Sequence, residues 1–338
     1  MCLTEAGYKV CVVDNLSINH MAEHFENPIY RDYLLARMAL IKASGAMYYQ
    51  EDAKEFTGLL RAFDRFKPTK VVHLAAISSA VKAKTNPGLM FDSQLVSLKN
   101  TLELARMDST INQVLLFSSS TVYGDFDGEE VNEDTRPHPR GIYANTKYMG
   151  ERLVRAYNSQ HGLGTTIVRP SALYGERCVS GRVTQAFIEA ALAGRPLRLE
   201  GNGTGLLDFT YVSDLVSGVK LALEKHPGRG ESQTFNLTYG QARYIKDLIP
   251  IIQDICPRLR ICATPSDPDK PRRGTLSIGC ARDVLGYNPQ YPLEVGYEQY
   301  CKFVAKTWSA NSGEDGIKKV AVKGFSKNWS PFDLRPLL

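Results

Sequence analysis

Apolar and polar positions along this chain fall into runs that alternate between two periods. Val10–Val13 before Asp14, Val71-Val72 before His73 and Val114–Phe117 before Ser118 are short apolar runs closed by polar residues. Each reads as a buried strand. Between them lie stretches with helical spacing: Arg31, Leu34, Leu35, Met38 and Ile41; Phe56, Leu59, Leu60, Phe63 and Phe66; Val96, Asn100, Leu102 and Ala105; and Tyr143 through Glu151, Leu153, Val154 and Tyr157. Strand–helix alternation from Val10 to Pro170 predicts an α/β chain built on a doubly wound parallel sheet. After Gly175 the pattern loosens. Val183–Leu192 reads as a helix, Leu197–Leu199 as a strand, glycines 201, 203 and 205 as a loop, and residues 245–255 and 280–285 as helices. These form a smaller α/β lobe. The expected division is 1–175 for the first domain and 176–309 mainly for the second lobe, with segments around 206–240 returning to the first. Residues 310–338 read as a polar tail in which Trp329 and Phe332 can dock on the body.

Composition narrows the class. At 338 residues, 43% hydrophobic and 23% charged, the chain is of the soluble globular type. A net charge of +5 suits anionic small ligands but lacks the basic stripe that nucleic acid requires. Lys270, Arg272 and Arg273 form the one short basic cluster. Seven cysteines are scattered without Cys-x-x-Cys or a matching histidine spacing. No metal is therefore expected, and a reducing compartment, the cytoplasm, is. Cys11 reads as a small hydrophobe in a buried strand. The sequence shows no signal peptide and no apolar stretch long enough for a membrane span.

Candidate chemistry sits in Ser118-Ser119-Ser120-Thr121-Val122-Tyr123-Gly124 and in Tyr143-Ala144-Asn145-Thr146-Lys147. Tyr143 and Lys147 are four residues apart and share a helix face. An ammonium beside a phenol favours the phenolate, so Tyr143 is expected to exchange protons below its ordinary pKa near ~10. The serine cluster, Val-Tyr-Gly and Tyr-x-x-x-Lys in this order resemble the extended short-chain dehydrogenase/reductase family. Within it they are most similar to the nucleotide-sugar epimerases and dehydratases.

The resemblance implies a Rossmann-like sheet, a bound NAD, a nucleotide-sugar substrate and a homodimer formed through the helices around Tyr143 and Asn100. Asp14, with Asn15 and Leu16, matches the strand end that reads the adenosine ribose. Asp52-Ala53 matches the pair that brackets the adenine. Leu74-Ala75-Ala76 matches the small-residue backbone under the cofactor, and Ser118 and Pro170 match residues beside the nicotinamide. Ser119, Tyr143 and Lys147 match the catalytic trio, with Tyr143 and Lys147 also touching the cofactor. Ser119, Thr121, Tyr143, Ala172, Arg182 and Arg273 are the candidate substrate contacts. In the implied reaction Tyr143 takes the proton of a sugar C4 hydroxyl while the C4 hydride leaves, and the 4-keto sugar turns before the hydride returns. Lys147 holds the nicotinamide ribose and depresses the Tyr143 pKa.

The residues after Ser119 separate the chemistries. Dehydratases resembling this chain carry an Asp-Glu pair there, and here the positions are Ser120 and Thr121. A nucleotide-sugar 4-epimerase is therefore the leading expectation. A dehydratase or reductase of a modified-sugar pathway, or a non-catalytic paralogue, are the alternatives. Leu207 stands where the family carries a diphosphate-gripping arginine, leaving Arg182, Arg272 or Arg273 for that task. Ala172 replaces a common substrate asparagine, and Gln94 another asparagine.

One family feature has no match. No strand followed by Gly-x-x-Gly-x-x-Gly opens the chain, and Met1–Tyr8 reads as the end of the first helix. Roughly twenty residues are missing against the usual βαβ layout. The flanking strands are then expected to keep unpaired backbone groups. Three explanations stand: a fragment or late start, a truncated paralogue with weak cofactor binding, or Ile317–Gly324 filling the gap.

Overall fold

A computed structural model describes residues 1–17, 27–78, 80–128, 130–226, 228–268 and 270–311. After a helical turn, α1 (Cys2–Glu5), strand β1 (Cys11–Val13) lies parallel to β2 (Met47–Tyr49), with α2 (Pro28–Ala43) between them in sequence. Helix α2 starts where Asn27 accepts from the Tyr30 N–H and Pro28 takes the first helical position. Helix α3 (Phe56–Phe66) leads to β3 (Lys70–His73). Short helices α4 (Ala80–Thr85) and α5 (Pro87–Phe91), a π-helical turn over Asp92–Val96, and α6 (Ser97–Met107) lead to β4 (Gln113–Phe117). Beyond β5 (Glu130–Val131) runs the long helix α7 (Gly141–His161), closed by Gly162 at φ +62°. Strands β6 (Thr165–Arg169) and β7 (Leu173–Tyr174) follow.

The rest is α8 (Val183–Leu192), β8 (Leu197–Glu200), β9 (Leu206–Asp208), β10 (Thr210–Tyr211), α9 (Val212–Glu224), β11 (Ser232–Asn236), β12 (Ala242–Tyr244), α10 (Leu248–Ile255), β13 (Ile261–Thr264), β14 (Thr275–Leu276), α11 (Gly279–Leu285) and α12 (Leu293–Asn311). The main sheet is wholly parallel in the order β3-β4-β6-β11. Alternation along β4 shows why it is covered on both faces. Val114 and Leu116 pack with Leu98, Leu102 and Val154 of α6 and α7. Leu115 packs with Leu215, Val219 and Leu285 of α9 and α11. This is the expected doubly wound arrangement. A separate core joins α8, α10 and α12 around Phe187, Ile252, Tyr297 and Tyr300.

Several expectations need correction. Strand β1 is paired with β2 alone, and β3 with β4 alone, so β1 and β2 stand apart from the main sheet among the described residues. Cys11, expected in a buried strand, is half-buried for that reason. Helix α2, expected from its spacing, buries Ile29, Tyr33 and Leu34 and leaves Leu35 exposed. That face meets α12, where Tyr33 stacks on Phe303 with centroids 5.6 Å apart. Helix α12 carries regular structure to Asn311, into the expected tail. Trp329, Phe332 and Ile317–Gly324 lie outside the described residues.

Candidate active site at the carboxyl ends of the strands

Parallel sheets bind ligands beyond the carboxyl ends of their strands. Here β3, β4 and β6 end in Leu74-Ala75-Ala76, Ser118-Ser119-Ser120 and Pro170-Ser171-Ala172. A cleft between them is lined by His73, Ala75, Ala76, Gln94, Lys147 and Gly150. His73 is buried between Thr101 and Ser97, 3.1 and 3.4 Å away. Burial, with the Lys147 charge nearby, pushes its pKa down to about 3, so it is a neutral structural group at working pH.

After Phe117 the chain turns sharply. The Ser119 hydroxyl accepts from the Thr121 N–H (3.2 Å) and opens a tight helical turn over Ser120–Tyr123. Its side chain also hydrogen-bonds the Tyr143 phenol, delivered by the first turn of α7. The ring of Tyr143 packs against Ile77, Ala83 and Met90. Thr121 Oγ1 is buried without a partner. Arg273 reaches in from the stretch before β14 and donates to the Ser120 carbonyl (3.1 Å) and hydroxyl (2.6 Å). Its guanidinium stacks over Phe126 at 5.4 Å. Burial of Arg273 away from any carboxylate within hydrogen-bond reach lowers its pKa to about 10.

The electrostatics differ from the expectation. Burial raises the Tyr143 pKa, and the opposing pull comes from Arg182, the Ser119 hydrogen bond and Arg273, in that order. Lys147 shares the helix face as expected, but its ammonium donates to the Phe117 carbonyl at 2.9 Å. Burial lowers its pKa to about 8. The charges that oppose the rise at Tyr143 are therefore those of two arginines distant in sequence, not that of Lys147. Both arginines were expected as substrate contacts, but their pull on the phenol was not, because each comes from a loop far along the chain.

Beyond the carboxyl ends of β1 and β2, Asp14, Asn15, Leu16, Asp52 and Ala53 are brought together. Asp14 Oδ1 accepts from the Leu16 N–H (2.7 Å), Asn15 donates to Asp52 (2.8 Å), and Asn100 donates to the Ala53 carbonyl (3.0 Å). Leu74 and Ala75 are exposed, and Ala75 lines the cleft. The Ser118 hydroxyl is not available to a ligand. It is committed to Glu151 at 2.6 Å, and Glu151 is held by Arg169 through two bonds of 2.9 and 2.7 Å. The sequence reading missed this buried network, although an arginine closing an apolar strand was its signal. Pro170 gives its carbonyl to the Ser120 N–H. Ala172 sits at φ +33°, a backbone state that asparagine adopts more readily than alanine, which fits the asparagine expected there. Leu207 packs in the second core, and Arg243 across from it is spent on Asp247 and Glu294. Arg272 is exposed, and its backbone N–H donates to Asp125.

Residues 2–238 match the NAD dependent epimerase/dehydratase family. The chain belongs to that family. It is 28% identical over 328 residues to UDP-glucuronate 4-epimerase 2 of Arabidopsis thaliana, covering 90% of this chain and 72% of that protein. Its fold is similar to that of UDP-glucose 4-epimerase from Thermotoga maritima, solved with UDP-glucose (TM-score 0.78, 25% identity, 91% and 94% of the two chains). It also resembles in fold UDP-glucuronic acid 4-epimerase from Bacillus cereus, solved with UDP-glucuronic acid and NAD (TM-score 0.77, 23% identity, 90% and 93%). Among the described residues there is no candidate metal cluster and no helix long and apolar enough to cross a membrane.

Proposed function

We propose that this family member epimerises a nucleotide sugar at C4 with NAD as its cofactor. The observation that carries the reading is the Tyr143–Ser119 pair under the charges of Arg182 and Arg273, with Ser120 and Thr121 where a dehydratase needs acids. The residues fit the cofactor at both ends: Asp14 and Asp52 for the adenosine, Lys147 and Tyr143 for the nicotinamide ribose. No glycine-rich turn for the pyrophosphate lies among the described residues. NAD, when bound, supplies the acceptor and donor of the hydride.

The protein's own part is positioning and proton transfer. Tyr143 is the base that takes the proton from the C4 hydroxyl, with two guanidinium groups opposing the effect of its burial. Ser119 holds the same oxygen and shortens the proton path. Arg182 and Arg273 grip the diphosphate, and the unpartnered Thr121 Oγ1 meets a sugar oxygen. The 4-keto sugar must turn within the pocket, and Ser120, Thr121 and Ala172 in the strand-end loops are small and carry no acid. We further read the protein as a homodimer. Ile142 and Met149 on α7, and Leu89, Phe91 and Val96 on its packed neighbours, leave large apolar side chains exposed.

The test is turnover of UDP-glucuronate and UDP-glucose followed by NMR, with NAD(H) released on denaturation. Interconversion with the C4 epimer and no net change in NADH supports the reading. Loss of water, or net reduction, replaces it by the dehydratase or reductase alternative.

A further inference from the structure

Gln185 has no place in the chemistry above, yet every hydrogen-bonding position of its side chain is used. It lies in the first turn of α8 and is 1% exposed. Its Oε1 accepts from the backbone N–H groups of Ser180 (2.9 Å) and Gly181 (3.0 Å). Its Nε2 donates to the Tyr30 hydroxyl and to Glu189 Oε1, both at 2.7 Å. Tyr30 in turn donates to Glu189 Oε2 at 2.9 Å. An amide flipped the other way would face two N–H donors with its own NH₂, so the network assigns one orientation.

Ser180 and Gly181 immediately precede Arg182. The loop they close contains Arg177 at φ +60° and Gly181 at φ +63°. A non-glycine residue in the left-handed region persists only where its surroundings hold it. Helix α2 holds this loop twice: Arg37 donates to the Arg177 carbonyl, and Tyr30 anchors Gln185. The Arg177 guanidinium is held as well, over the Phe303 ring at 5.3 Å.

We propose that Gln185, anchored by Tyr30, is a positioning residue that clamps the Ser180–Gly181 backbone so that Arg182 faces the Ser119–Tyr143 pair. The favourable charge of Arg182 at Tyr143 supports this, because it requires a guanidinium kept near the phenol. The clamp also joins the two ends of the site. Helix α2 follows the Asp14 strand, and through Gln185 it sets the arginine on the substrate side. The inference rests on the epimerase reading and adds that its leading anion-binding arginine is held in place by a remote helix.

The test is a double-mutant cycle. UDP-glucuronate binding is measured by calorimetry, with NAD present, for wild type, Gln185→Leu, Arg182→Gln and the double variant, alongside thermal unfolding. Each single change is expected to weaken binding about tenfold, with the double variant no weaker than Arg182→Gln alone. Losses that multiply in the double variant overturn the clamp, as does wild-type affinity in Gln185→Leu. Tyr30→Phe, which keeps the ring, carries the test if Gln185→Leu fails to fold. It must weaken binding in the wild-type background and leave Arg182→Gln unchanged. Wild type that binds no nucleotide sugar overturns the epimerase reading and the clamp together, whereas binding that no variant alters overturns the clamp alone.

Discussion

Replacing Arg169 by methionine tests whether the buried network behind the serine cluster holds the site. The Arg169 guanidinium donates twice to Glu151 and once to the Tyr123 hydroxyl (2.9 Å), over whose ring it also stacks. Glu151 is completely buried. Removing one member of a buried ion pair costs about 3–5 kcal/mol, because the other is left as an uncompensated charge. Here Glu151 would keep Ser118 at 2.6 Å and Arg155 at 3.1 Å, and Arg155 is about a third exposed. Tyr123 would still donate to Asn236 at 2.8 Å. These remnants place Arg169→Met near the lower bound, about 3 kcal/mol. Removing both charges, as in Glu151→Leu/Arg169→Met, leaves no orphan ion and should cost less, about 1–2 kcal/mol. Urea unfolding followed by circular dichroism measures both. Arg169 holds the Glu151 pKa below the usual carboxylate range. Its contribution is therefore present above that range and is lost as pH falls through the lowered value, so the variants converge in acid. An Arg169→Met protein within about 1 kcal/mol of wild type, or a double variant less stable than the single, would refute the reasoning.

Three further outcomes are expected. Tyr143→Phe should lower turnover about 10²–10⁴-fold while NAD content and the urea midpoint stay as in wild type, and a loss below tenfold removes Tyr143 from proton transfer. Asp208 is buried, accepts from Thr238 and from the N–H groups of Gly240 and Leu276, and burial pushes its pKa up to about 6. Because that exceeds the unfolded value near ~3.9, its contribution is fully present below about pH 4 and is lost as pH rises through 6, a change of about 3 kcal/mol. Unfolding free energies from pH 4 to 7 that match those of Asp208→Asn in shape would contradict it. Arg273→Lys keeps the charge but loses the forked grip on Ser120, so KM should rise about tenfold, and an unchanged KM would place the guanidinium away from substrate.

Local pattern carried the strands and their chemistry. An apolar run cut off by serines marked β4, and four-residue spacing put Tyr143 and Lys147 on one helix face. What it could not carry was the identity of partners brought in from elsewhere. The Lys147 ammonium is claimed by the Phe117 carbonyl of a neighbouring strand, and the phenol is tuned by arginines from two distant loops. Helical spacing marked α2, but which of its faces packs depends on α12, nearly the whole chain away, so Tyr33 is buried and Leu35 is not. Gln185 escaped notice for the same reason: its value lies in Tyr30, 155 residues earlier.

The separation of β1 and β2 from the main sheet has a kinetic consequence. Strands β1 and β2 form a ribbon of three residues each, and a two-stranded ribbon is marginal by itself. It can open without breaking the ladder of β4 and β6, which are hydrogen-bonded on both sides. Its amides should therefore exchange with solvent through a local melting event of lower free energy than global unfolding. Asp14, Asn15 and Leu16 ride on this ribbon. Affinity at the adenosine end then depends on the fraction of molecules in which the ribbon is closed, so a dinucleotide both reads that end and freezes it.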